Sequence, residues 1–340
     1  IGDGANDHGP RTSNMLCRRA FLASSLAATT ATLGSRAAFA GGAARRKVKI
    51  VDIHTHLGTF YWGKELTPEG LLKLMDAHDI ERAVVLPLVS PETSLFPQTT
   101  HAALAACNAY PDRLIPFCCF DPRAYHIDPK KPDRIGRING VTGMVELLKH
   151  YQDLGAKGFG EHQVGLPFDD PLMMTVYEAL EAVELPILFH LDDIRGADTP
   201  GLPRLEHALR SFPKLPMIGH ACGFWASISA DATEYDFGHY PTIPKPVVPS
   251  GALELLLAKY SNLYCDLSEP GGYFAIARDL DFGRQFVIRW ADRLLFGTDY
   301  LMPDQEIPHF ELYESLDLPD NLQAKIYRAN AIKLLKLEEG

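Results

Sequence analysis

The chain has 340 residues, 46% of them hydrophobic and 22% charged, which is enough apolar material for a large core and too much for wholesale disorder. A formal net charge of −10 argues against a nucleic-acid partner held by phosphate neutralisation, and no basic run interleaved with aromatics offsets it. The length exceeds the usual figure for one domain, yet α/β barrels reach this size as a single unit.

Met15, Arg18-Arg19 and Ala20-Phe21-Leu22 open a stretch that resembles a twin-arginine export signal, and Ala38-Phe39-Ala40 supplies small residues for cleavage. Residues 1–40 are therefore set apart as upstream residues and signal, leaving 41–340 as one expected domain. Four Arg and two Asp leave with the signal, so the mature chain carries −12. The Ala/Ser/Thr/Leu run from Ala20 to Leu33 is too short and too rich in Ser and Thr to span roughly 30 Å of hydrocarbon. No stable membrane anchor is expected after cleavage, and the destination is the periplasm or the medium. Cys107, Cys118, Cys119, Cys222 and Cys265 remain, an odd number in apolar runs that reads as buried small hydrophobes rather than disulfides.

From Lys47 onward, short apolar runs alternate with helical patterns, the signature of βα units on a parallel sheet. Strands are predicted at Val48–Ile53, Ala83–Leu88, Leu114–Phe120, Ala156–Glu161, Ile187–His190, Met217–His220, Leu263–Leu267 and Leu294–Gly297. Helices are predicted at Pro68–His78 (Thr67 as N-cap), Thr100–Tyr110, Thr142–Leu154, Pro171–Val183, Leu202–Phe212, Gly251–Tyr260 and Phe274–Ala291, with Asn321–Leu337 closing the chain. Eight such repeats make a (β/α)₈ TIM barrel, whose active site is built by the loops after the strands. The long connections Leu57–Leu66, Asp121–Gly140, Leu191–Gly201 and Ala221–Ser250 all follow strands, which places a small-molecule pocket there.

The strand ends carry the chemistry. In Ile50-Val51-Asp52-Ile53-His54-Thr55-His56 the two histidines are two apart and so project to one side of an extended strand. Strand four ends in Glu161 and His162, strand five in His190, strand six in His220, and strand eight runs through Phe296-Gly297-Thr298 into Asp299. A lone strand-end histidine is usually structural, but metal-type donors at the same end of five strands point to a cation.

These motifs, with Pro186-Ile187-Leu188-Phe189-His190, Ile218-Gly219-His220, Leu295-Phe296-Gly297-Thr298-Asp299 and the terminal Asn330-Ala331-Ile332-Lys333-Leu334-Leu335, resemble the amidohydrolase superfamily, in particular its amidohydrolase-related branch. The resemblance implies a divalent metal, zinc by expectation, as one or two ions. It makes His54, His56 and Asp299 ligands of the more buried ion. His190 would serve that ion or a second one, and His220 would either act near the substrate or bind the second ion. Glu161 would be a bridge between two ions or a partner that orients His190 or His220. Lys157 lies too early in its strand to bridge.

A cation held by neutral imidazoles and a carboxylate makes hydroxide available near neutral pH. Asp299 can then act as proton carrier, and His220 can orient water or hold the developing oxyanion. Arg123 would pair with a substrate carboxylate or form a surface salt bridge. Trp62 and Trp225 would wall the pocket or belong to the core, and His162 would lie near the mouth with Asp192 and Asp193. His101, His150, His207, His239 and His309 read as structural. The expected activity is hydrolysis of an amide, ester or lactone. The alternative is non-oxidative decarboxylation of the aminocarboxymuconate-semialdehyde or resorcylate type, which the same branch also implies. A homo-oligomer is compatible with the sequence.

Overall fold

A computed structural model describes residues 48–60, 63–93, 96–125, 140–240 and 245–338. Trp62 and the expected signal at 1–40 lie outside these residues. Eight strands carry the architecture: β1 (Ile50–Thr55), β2 (Ile80–Val85), β3 (Leu114–Pro116), β4 (Phe159–His162), β5 (Ile187–His190), β6 (Met217–His220), β7 (Leu263–Asp266) and β8 (Leu294–Leu295). β1, β2 and β3 form one parallel ladder and β4 to β8 another. Parallel bridges Cys118↔Phe159 and Thr55↔Tyr300 join the two ladders, and Ile53 N donates to Phe296 O at 2.9 Å, closing a (β/α)₈ barrel.

Because each barrel strand is covered on both sides, its sequence is a near-continuous apolar run; every residue of β1 is buried. Val51, Ile53, Val84, Leu86, Ile115, Phe117, Leu188, Ile218 and Leu295 fill the interior, and Ala331, Ile332 and Leu335 of the closing helical segment pack against them. The outer faces bury Ile50, Ala83 and Val85 against helix residues such as Leu71 and Met75. Among the described residues no helix is long and apolar enough to cross a membrane.

Two expected elements differ. The predicted helix Phe274–Ala291 is two helices, Glu269–Ala277 and Leu280–Trp290, because Asp279 leaves helical geometry and caps the second by accepting from Phe282 N at 3.2 Å. The closing helix Asn321–Leu337 is Asp320–Ala324, a π turn at Lys325–Ala329 and Asn330–Leu334. The other strands and helices lie within a few residues of the predicted bounds, and the five cysteines are buried and free as expected.

Candidate metal centre

In β5 to β7 a period of two stacks each polar strand-end residue over an inner one: His190 over Leu188, His220 over Ile218, Asp266 over Tyr264. β1 and β4 need an irregularity to reach the same rim. Asp52↔Ala83 and Thr55↔Val85 set three residues of β1 against two of β2, and Phe159↔Ile187 with His162↔Phe189 does the same in β4. These bulges turn His54, His56 and Glu161 inward, the two histidines above Val51 and Ile53. Gly160 carries φ +136°, and a Cβ on it would collide with the Leu188 carbonyl, so the approach to Glu161 requires glycine.

The six expected donors meet. His54 Nε2 and His56 Nε2 are 3.0 Å apart. Glu161 Oε2 lies 3.5 and 3.3 Å from them, and Asp299 Oδ1 3.4 and 3.5 Å. These separations match the roughly 3.3 Å between neighbouring ligands held about 2.0–2.1 Å from one zinc ion. On the other side Glu161 Oε1 lies 2.7 Å from His190 Nδ1 and 3.7 Å from His220 Nε2. Glu161 thus gives one oxygen to each donor set.

The donor chemistry fits a cation. The Nδ1 of His54 faces Asp266 Oδ2 at 2.6 Å and that of His56 faces Leu86 O at 2.8 Å. Both rings spend their proton there, so two Nε2 lone pairs and two carboxylate oxygens converge with no donor hydrogen between them. Against the desolvation of a buried ring, Asp299 and Asp266 hold the His54 pKa well above its ordinary value. Burial also opposes ionisation of Glu161, yet the imidazoles of His190, His54 and His56 that face it hold its pKa well below the carboxylate range. The field at this rim is therefore strongly negative.

Supporting groups lie behind the donors. Asp266 Oδ2 also faces His220 Nδ1 at 3.0 Å and accepts from Ser268 Oγ at 2.8 Å, so one carboxylate orients a histidine of each set. Asp192 accepts from His190 Nε2 at 3.0 Å and is itself held by buried Arg195. Asp52, whose pKa burial raises to about 7, accepts from Thr298 N and Oγ and from His54 N, fixing β1 to the turn that presents Asp299. Asp266 is absent from the donors expected from sequence, although the same period-two rule that locates His220 points to it.

Other expected site residues sit elsewhere. The fork of Arg123 is closed by Asp121 and Glu92, at 2.6 to 2.9 Å, so the salt-bridge alternative describes it and no free edge faces a substrate. His162 is turned away from the donors into apolar surroundings, 3.2 Å from Met173 Sδ, where burial lowers its pKa to about 4. Trp225 is buried and its indole N–H donates to Asp266 O at 3.0 Å, so it supports β7. Asp193 and Lys157 are exposed. His309, expected to be structural, is buried and donates from Nε2 to Glu269 O at 3.0 Å.

A family model described as amidohydrolase matches residues 51–337. No curated protein matches the chain. Among solved structures the chain is similar to an uncharacterised TIM-barrel protein from Bordetella bronchiseptica, with 18% identity and TM-score 0.57, over 85% of this chain and 99% of that one. It is also similar to a putative 2-pyrone-4,6-dicarboxylic acid hydrolase from Pseudomonas putida, with 15% identity and TM-score 0.58, over 87% and 100%. A 2,6-dihydroxybenzoate decarboxylase shares 19% identity with TM-score 0.50, over 85% and 99%. At these identities the structural likenesses establish the barrel fold.

Proposed function

This chain belongs to the amidohydrolase family of metal-dependent hydrolases and decarboxylases, and from that premise we propose that it hydrolyses an amide, ester or lactone bond of a small molecule. The observation that carries the reading is the placement of Glu161, whose two oxygens face separate donor sets. His54, His56, Glu161 and Asp299 would hold one divalent ion, and Glu161, His190 and His220 a second. Such a pair supplies Lewis acidity and a water activated near neutral pH, which suits addition of water across an acyl bond better than loss of carbon dioxide.

The chain's own groups complete the task. Asp299 is 15% exposed while the other donors are nearly inaccessible, so it is the carboxylate open to the mouth. Its oxygen takes the proton from the attacking water and returns it to the leaving nitrogen or oxygen. His220 points Nδ1 at Asp266, which takes that ring proton, and burial lowers its pKa. Its Nε2 is therefore a lone pair suited to holding an ion, and it has no proton to offer an oxyanion.

The test is turnover by purified, zinc-loaded protein on lactones, esters, amides and aromatic acids. Appearance of the free carboxylic acid by chromatography with mass detection from one of the first three classes supports hydrolysis. Carbon dioxide release from an aromatic acid, with no hydrolytic product, overturns it.

A further inference from the structure

We propose that Glu269 is an additional ligand on the second half of the centre, completing the set formed by Glu161, His190 and His220; this rests on the two-ion reading above. His220 Nε2 lies 3.7 Å from Glu161 Oε1 and 3.8 Å from Glu269 Oε2. Two ligands of one ion at about 2.1 Å stand about 3.0 Å apart at a right angle and about 4.2 Å apart when opposite, and both distances fall inside that interval. Glu269 therefore flanks the same imidazole nitrogen as the bridging carboxylate.

Its backbone is built to hold that position. Glu269 has φ +64°, a left-handed conformation that is strained for a non-glycine residue. It is fixed from both sides. His309, 4% exposed, donates Nε2–H to the Glu269 carbonyl at 3.0 Å, and the preceding Ser268 donates its N–H to Asp266 Oδ1 at 3.0 Å. The segment leaving β7 thus sends Asp266 behind the histidines and Glu269 in front of them.

Charge points the same way. Glu161, Asp266, Asp299 and Glu269 bring four carboxylates to a rim whose histidines are largely buried. Two divalent cations balance that charge and one leaves half of it uncompensated in a low-dielectric site.

The experiment compares wild type with Glu269→Gln by titrating chelator-treated protein with zinc, reading stoichiometry by elemental analysis and each dissociation constant by calorimetry. Wild type takes two equivalents; Glu269→Gln keeps the first with unchanged affinity and binds the second at least tenfold more weakly. Two equivalents in both proteins with the second constant unchanged overturn the role of Glu269 alone, whereas one equivalent in wild type overturns the two-ion reading as well. A crystal structure of the zinc-loaded wild type decides the matter independently of how the variant folds. A Glu269 oxygen at about 2.0–2.2 Å from the second ion supports the inference, and one beyond coordination distance overturns it.

Discussion

Asp266 Oδ2 stands 2.6 Å from His54 Nδ1, and both groups are inaccessible to solvent. That contact decides which nitrogen of His54 faces the mouth. Since Asp266 also holds His220, a single carboxylate sets the tautomers on which both donor sets depend.

Asp266→Asn replaces an acceptor by a group that can also donate to the two Nδ1 atoms, which weakens both orientations at nearly constant volume. We expect zinc affinity to fall about 10- to 100-fold with the fold retained. Competition with a calibrated chelator measures this; an unchanged affinity would show that the histidines are oriented without it.

Arg123 provides a prediction about pH. Burial raises the pKa values of Glu92 and Asp121, but hydrogen bonds from Arg123 outweigh it, so both end below their ordinary values of 4.5 and 3.8. Carboxylates with depressed folded-state pKa values stabilise the fold above those ordinary values and lose that contribution as pH falls through the depressed ones. Arg123→Gln should cost about 1–3 kcal/mol at pH 7, with a deficit that shrinks toward wild type in strong acid and with KM little changed. Urea unfolding at both pH values checks it. Unaltered stability with a raised KM would return Arg123 to the substrate.

Gly160→Ala should cost more than about 3 kcal/mol or displace Glu161, since the new methyl group meets the Leu188 carbonyl and the backbone stands at φ +136°. Thermal unfolding together with zinc content reads both consequences. A variant with wild-type stability and metal content would contradict the account of how β4 presents Glu161.

Much of this was legible in the sequence because its cause is local. Ile187–His190 and Met217–His220 match the predicted strands residue for residue, since short apolar runs bounded by turn signals leave little freedom in register. The six side chains that meet at the rim were legible as strand ends. The bulges in β1 and β4 were not, because they arise from pairing with β2 and β5 rather than from composition. For Arg123 the sequence left two readings open, because its partner Glu92 is 31 residues away. Glu269 escaped notice because it ends no strand, and only the fold brings it to His309.

The central claim is that Glu161 joins two cations, and the metal content of purified protein tests it most directly. About two equivalents of zinc in wild type, falling to one in Glu161→Gln with the fold intact by circular dichroism, is the result this account predicts. A single equivalent in wild type, or unchanged stoichiometry in Glu161→Gln, would contradict it.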